Sequence, residues 1–279
     1  MQRPSDRDVL TRRDLMRLIG VGAAAGALLS LGGCGCTPEL PPQEVPPVEP
    51  WTSPYDWDAL MTNPEGRKYY YPDNVLSSRF GIDVSDYNHT IDWAAVASDG
   101  VQFAILRAGY RGYTEGGLFE DEQFAANLQG ARENCIPVGA YFFSSAVSAI
   151  EAQEEARFVL DLLGDTPLDY PIVYDQEQVP DSAGRANTLA SSQYTANAKA
   201  FCEAVTAAGY QTMIYGNKHH LSLLHLDELA DYPLWYAEYG VSEPSGHFDF
   251  TMWQYSESGT VKGIENGVDL NIFFTHSNS

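Results

Sequence analysis

Asp175 and Glu177 close the stretch Pro171 to Glu177, PIVYDQE, in which an apolar run ends in two carboxylates. Side chains of an extended strand alternate between faces, so the two acids project the same way, about 7 Å apart along the strand. Two acids held together at a strand end suit general acid/base chemistry. They equally suit a solvated strand end in an acidic protein, and the other acids decide between the two readings. Asp83 ends the apolar stretch FGIDVS (Phe80 to Ser85), and Asp269 lies in VDLNIF (Val268 to Phe273).

The elements that must position these acids alternate. Phe80 to Ser85 reads as a strand, followed by a short helix from Asp92 to a stop at Gly100. Val101 to Ala108 reads as a second strand, then a glycine-rich loop and a helix from about Asp121 to Asn134. The third strand is Val138 to Phe143. Its helix opens with Ser148 and Glu151 at capping-box spacing and repeats Phe158, Leu162 and Leu163 at helical intervals. PIVYDQE is the fourth strand, and a helix from about Thr188 to Ala208 ends at Gly209. Thr212 to Gly216 is the fifth, with a short helix among His219, His220 and His225. Leu234 to Tyr239, Phe250 to Tyr255 and Val268 to Phe273 are strands with too few residues between them for full helices.

Five strand–helix units followed by three strands imply an α/β fold: an irregular TIM-like (β/α)5(β)3 barrel, mostly parallel, forming a single catalytic domain. Active sites of such barrels lie at the C-terminal ends of the strands. First and last strands of a closed barrel are neighbours, so Asp83 and Asp269 should lie side by side, facing Asp175 and Glu177. Solvated acids need no such register between distant segments. Glycoside hydrolysis is the chemistry this arrangement suits: one carboxyl group protonates the leaving oxygen while negative charge stabilises an oxocarbenium-like centre. Neighbouring carboxylates raise one another's pKa, which keeps an acid protonated. Sugars also need flat apolar platforms and hydrogen-bonding groups. Tyr141, Phe143, Tyr215, Trp235, Tyr239, Trp253 and Gln254, all near strand ends, are the substrate-binding candidates. His219, His220 and His225 lack the spacing that puts zinc ligands on one helix face and read as surface residues. No metal and no cofactor are expected.

The chain carries a net charge of −22, with 16 Lys plus Arg against 38 Asp plus Glu. Five of the basic residues (Arg3, Arg7, Arg12, Arg13 and Arg17) precede Cys34, so the remainder is more acidic still. Nucleic acid is excluded as a partner, because phosphate backbones are held mainly by Lys and Arg. Residues 1–33 read as an export signal: the charged TRRDLMR (Thr11 to Arg17), then an apolar run from Leu18 to Leu31 too short to span a bilayer. Arg12 and Arg13 resemble a twin-arginine signal, and LGGC (Leu31 to Cys34) resembles a bacterial lipobox. Cys34 is then the lipidated residue, giving an exported, extracytoplasmic lipoprotein held at the cell membrane facing the wall, with Cys36 a spare thiol. Residues 34–54 carry that cysteine and a proline- and glutamate-rich linker. Residues 55–78, aromatic and irregular, form an N-terminal collar, and residues 79–275 the barrel. Cys135 and Cys202 are expected to be separate buried thiols, and the protein a monomer.

From Phe80 to Phe274 the chain resembles the family 25 glycoside hydrolases, lysozymes that act as N-acetylmuramidases. The resemblance is carried in order by GIDVSDYNHTIDWAAV, GVQFAILRAGYRG, PVGAYFFS, PIVYDQE, MIYGN, LWYAEY, MWQYSESGTVKGI and VDLN. It implies the irregular barrel, peptidoglycan glycan strands as the substrate, and cleavage of the β-1,4 bond from N-acetylmuramic acid to N-acetylglucosamine with net retention. Glu177 matches the family's general acid/base, and Asp175, Asp83 and Asp269 match its other active-site acids. Gln176 stands where the family is usually apolar. The second half of the reaction is left to attack by the substrate's own 2-acetamido group, oriented by Asp175, or to a nucleophilic aspartate. Two alternatives accompany this reading: a catalytically inactive peptidoglycan-binding lipoprotein, and a hydrolase of the same fold acting on another amino-sugar polymer such as chitin.

Overall fold

The computed structural model describes residues 51–181 and 183–275. The expected export signal, Cys34, Cys36 and the expected linker as far as Pro50 lie outside the described residues.

Eight strands close into a barrel. In chain order they are β3 (Ser78–Val84), β4 (Phe103–Arg111), β6 (Val138–Ser144), β7 (Ile172–Gln176), β8 (Thr212–Asn217), β9 (Leu234–Ala237), β10 (Met252–Gly259) and β11 (Val268–Phe274). The first seven run parallel in sequence order. β11 runs antiparallel to both β10 and β3 and completes the ring. A short strand β5 (Leu118–Glu120), within the stretch expected to be loop, pairs antiparallel with the end of β4.

The connections carry α1 (Trp93–Ser98), α2 (Phe124–Glu133), α3 (Ala149–Leu163), α4 (Ser191–Ala207) and α5 (Lys218–Ser222). Asp92 and Ser148 cap α1 and α3 through side-chain bonds to the backbone N–H of Ala95 and Glu151, satisfying donors that a helix start leaves open. Past α4, Gly209 takes φ +88°, a conformation a side chain would strain. Helix α3 buries Ala152, Glu155, Ala156, Val159 and Leu163, the spacing of one helical face.

Strand alternation sorts the core into two layers. Phe103, Ile105, Tyr141, Val173, Met213, Tyr215, Trp235 and Met252 fill the barrel interior. Their neighbours in sequence, among them Leu106, Phe142, Tyr174, Ile214 and Tyr236, form the larger core outside it. The interior is a packed layer and not a pore. Gly81 marks how tightly: a Cβ there would stand 2.3 Å from the ring of Phe103.

The last three strands lack full helices, and the collar takes their place. It comprises two 3-10 turns and a hairpin of β1 (Leu60–Thr62) and β2 (Lys68–Tyr70). Tyr55 stacks on Phe274 with centroids 4.1 Å apart and its hydroxyl donates to the carbonyl of Phe250 at 2.6 Å. Trp57 packs against Phe250 and Trp253, and Tyr70 meets Phe274 edge to face. Arg67 bonds Asp99 at the end of α1. Apolar surface on β10, β11 and β3 is thereby removed from water. Among the described residues, Trp51, in the stretch read as linker, already contacts the barrel: it stacks on His247 and donates to Asp249. Cys202 is buried as expected, but Cys135 is exposed, because it sits in the turn after α2 with φ +56°.

Candidate active site

Register brings the sequence-derived acids to one mouth. Asp83, next to last in β3, is the direct partner of Asp269 in β11. Because β11 is reversed, its beginning lies where the other strands end. Asp175 pairs with Phe143 on one side and Tyr215 on the other, and Glu177 follows β7 immediately. Asp83, Asp175 and Glu177 are buried, and Asp269 is half-buried.

A hydrogen-bonded web holds the β3–β11 side. Asp83 Oδ2 accepts from Gln254 Nε2 at 2.7 Å and from Asn271 Nδ2 at 2.8 Å. Asn271 Oδ1 in turn accepts from the indole of Trp235 at 2.8 Å. Gln254 Nε2 also lies 3.4 Å from Asp269 Oδ2. Its Oε1 accepts from the hydroxyls of Tyr215, at 2.8 Å, and Tyr239. Carboxylates on one side and hydroxyls on the other fix which end of the amide is which. Buried networks of this kind hold a single geometry because an unmade bond in low dielectric is costly.

On the β7 side the partner is a histidine. His220 is buried, contrary to the surface position expected of it, and its Nδ1 lies 3.2 Å from Glu177 Oε2. The correction has a physical cause: α5 starts directly after β8, at the same barrel end as the acids, so its first turn lies against the mouth. His219 and His225 remain at the surface.

Two loops wall the mouth. Arg107 Nε donates to Asp121 Oδ2 at 2.7 Å and its guanidinium reaches Asp86, tying the β3–α1 loop to the segment before α2. Burial opposes the charge on Arg107, but Tyr141, Asp121 and Asp86 hold its pKa above the ordinary value. Asp121 is pushed up by burial, which outweighs Arg107. The loop after β7 is clasped by Asn187, which bonds both backbone groups of Val179, and by Arg185, which pairs with Glu151. Val179 packs there with Tyr113 and Phe143.

The candidate platforms divide. Tyr141, Tyr215 and Trp235 belong to the interior layer, Phe143 to the wall, and Gln254 to the web; Tyr239 is half-buried beside it. Trp253 does not belong to the mouth. It points outward from β10, donates to the carbonyl of Glu238 at 2.9 Å and packs against Trp57. The alternation that turns Gln254 inward turns Trp253 out. Sequence reasoning missed Asn271 and His220. Asn271 carries the same period-two signal from Asp269 that joined Asp175 to Glu177, and His220 carries the strand-end signal that sorted the acids.

Acids gathered from three strands, polarised by amide and imidazole groups and walled by aromatic side chains, can protonate a bridging oxygen and stabilise developing positive charge. The comparisons with known proteins agree with that chemistry. Residues 82–264 match the profile of Glycosyl hydrolases family 25. The chain is 32% identical over 202 residues to the uncharacterized protein YegX of Escherichia coli K12, covering 69% of this chain and 68% of that protein. It is 31% identical over 209 residues to Lysozyme M1 of Streptomyces globisporus, covering 69% and 67%. The crystal structure of the bacterial lysozyme from Streptomyces coelicolor superimposes with a TM-score of 0.62 at 30% identity, over 72% of this chain and 93% of that one. The protein is thus a glycosidase by fold and by sequence, and the chain belongs to glycosyl hydrolase family 25.

Proposed function

We propose that this protein is a peptidoglycan hydrolase, a 1,4-β-N-acetylmuramidase that cleaves the bond between N-acetylmuramic acid and N-acetylglucosamine with net retention. The observation that carries the reading is the pairing of Asp175 and Glu177 at the end of β7 with the Asp83–Asp269 register across the mouth. Membership of a family that holds lysozymes among its relatives supports the substrate class.

In this reading Glu177 protonates the glycosidic oxygen as the bond to the muramic acid C1 breaks. The 2-acetamido oxygen of the same sugar closes on C1 from the opposite face, with Asp175 orienting the amide and balancing its charge. Glu177, now a carboxylate, takes a proton from water as that water opens the ring intermediate, which restores the original configuration. Asp83 and Asp269, held by Gln254 and Asn271, add negative potential where the oxocarbenium-like charge develops.

We further propose that the protein is exported and anchored by lipid on Cys34. Recovery in the membrane fraction with an acylated Cys34 is the expected result. A soluble protein with Cys34 unmodified overturns the anchor alone.

The deciding experiment is digestion of purified peptidoglycan by the wild type beside Glu177→Gln, with mass spectrometry of borohydride-reduced fragments. Muramitol ends from the wild type, and a loss of about 100-fold or more in the variant, are expected. Binding without fragments from the wild type identifies a wall-binding protein, and release from chitin alone identifies a different polymer.

A further inference from the structure

Glu177 is approached from the neighbouring strand–helix unit by His220, whose neighbour His219 contacts Gln178, the residue that follows the acid. Helix α5 begins at the end of β8, and Asn217 Oδ1 accepts the backbone N–H of His220 at 2.9 Å, fixing the turn. The ring of His220, 3% exposed, is wedged between that turn and the end of β7. Its Nε2 accepts the backbone N–H of Gln178 at 3.2 Å. An acceptor at Nε2 leaves the proton of a neutral imidazole on Nδ1, and Nδ1 is the atom 3.2 Å from Glu177 Oε2. Beside it, His219 Nε2 lies 2.9 Å from Gln178 Oε1, while Gln178 Nε2 donates to the carbonyl of Asn187 at 2.8 Å. The residue following the acid is thus held by both rings and by the loop after β7.

We infer that His220 is a positioning residue for Glu177, its Nδ1–H closing on the nearby Oε2 as substrate fills the site so that the reactive proton is confined to Oε1. The inference rests on the reading of Glu177 as the general acid/base. A donor at Oε2 does two things. While Glu177 is protonated, it occupies one oxygen as an acceptor and leaves the O–H to the other. After proton transfer it meets the new carboxylate with an N–H bond, the stronger kind because one partner is charged. At 3.2 Å the two atoms stand short of hydrogen-bond geometry, and catalytic contacts of this sort tighten when substrate fills a site. His220 itself gives up no proton to the substrate, and the bond made and the bond broken remain those of Glu177.

Two substitutions separate the ring nitrogens. His220→Gln places an amide near Nε2 and removes the donor at Nδ1; His220→Asn places its amide near Nδ1 and keeps a donor toward Glu177. Steady-state kinetics on soluble peptidoglycan fragments are measured for both, beside wild type, Glu177→Gln and the double variant. His220→Gln is expected to lower kcat about 10- to 100-fold with KM unchanged, the size seen when a group orienting an active residue is lost. His220→Asn is expected to recover most of that loss, and His220→Gln to add nothing in the Glu177→Gln background. Wild-type kcat in His220→Gln, or equal losses in both variants, overturns the inference. An active Glu177→Gln sinks the acid/base reading itself, whereas an inactive Glu177→Gln with an unimpaired His220→Gln sinks only the role of His220. Should neither histidine variant fold, nitrogen NMR of the wild-type imidazole decides: a proton on Nδ1 is expected, and a proton on Nε2 overturns it.

Discussion

The two faces of β7 handle polar groups in opposite ways. Inward, Val173 gives way to Asp175 and then Glu177, and the acids meet the mouth with its half-buried Tyr239 and Asp269. Outward, Tyr174 and Gln176 enter a closed chain between barrel and helices. Arg111 Nε donates to Glu155 Oε1 at 2.7 Å, and the hydroxyl of Ser144 donates to Glu155 Oε2 at 2.6 Å. The hydroxyl of Tyr174 donates to Gln176 Oε1 at 2.8 Å, and Gln176 Nε2 donates to the carbonyl of Ala146 at 2.7 Å, which Asn197 also caps. The outer chain ends on groups of the protein itself; the inner face opens where a substrate would lie. One strand therefore serves stability on one side and, in the proposed function, chemistry on the other, and substitutions should separate the two.

The largest effect is expected on the outer side. Arg111→Met leaves Glu155 buried without its cation, at a cost of about 3 to 5 kcal/mol in urea unfolding, while kcat of the folded fraction stays at the wild-type value. A parallel fall in kcat would break the division of labour. On the inner side, Asp175→Asn should lower kcat about 100-fold, equivalent to about 3 kcal/mol of barrel-mouth chemistry, with a smaller shift of the urea midpoint than Arg111→Met. The third effect is spread over pH. Burial outweighs Ser144 and Arg111 and raises the Glu155 carboxyl from 4.5 to about 7. The folded state therefore holds this proton more tightly than the unfolded chain. Its contribution to stability is full below pH 4.5 and is lost as pH rises through about 7, at most about 3 kcal/mol in all. Thermal midpoints between pH 4 and 8 should fall with that slope in the wild type and flatten in Glu155→Gln; equal slopes would remove Glu155 from the account.

How much of this was legible follows the same division. Period-two alternation and the rule for barrel ends together located Asp83, Asp175, Glu177 and Asp269, because both rules depend on backbone geometry alone. Trp253 lies near a strand end but outside the mouth, because alternation turns it away from the face that holds Gln254. Asn271 and His220 are hidden in the sequence because an amide or imidazole that only orients another group has none of the signatures of paired acids, aromatic platforms or metal spacing. The outer chain lay beyond sequence reading. Arg111 and Glu155 are 44 residues apart and nothing local to either marks the other as its partner. Gln176 stood out as polar where the family is usually apolar, and its bonds to Tyr174 and Ala146 give the reason. The collar was visible as an aromatic segment, but its purpose depends on which strands lack helices, a property of the closed barrel.

The reversal of β11 reaches beyond the placement of Asp269. It returns the chain to the barrel end opposite the mouth, where the backbone N–H of Thr275 donates to the carbonyl of Ser77 at 3.0 Å. Trp51, bonded to Asp249 ahead of β10, sits at that same end. Both ways into the folded unit thus open on its blind side. A leash, a fused module or an immobilising bead attached through either would leave the working face turned outward, free to meet a polymer too large to diffuse.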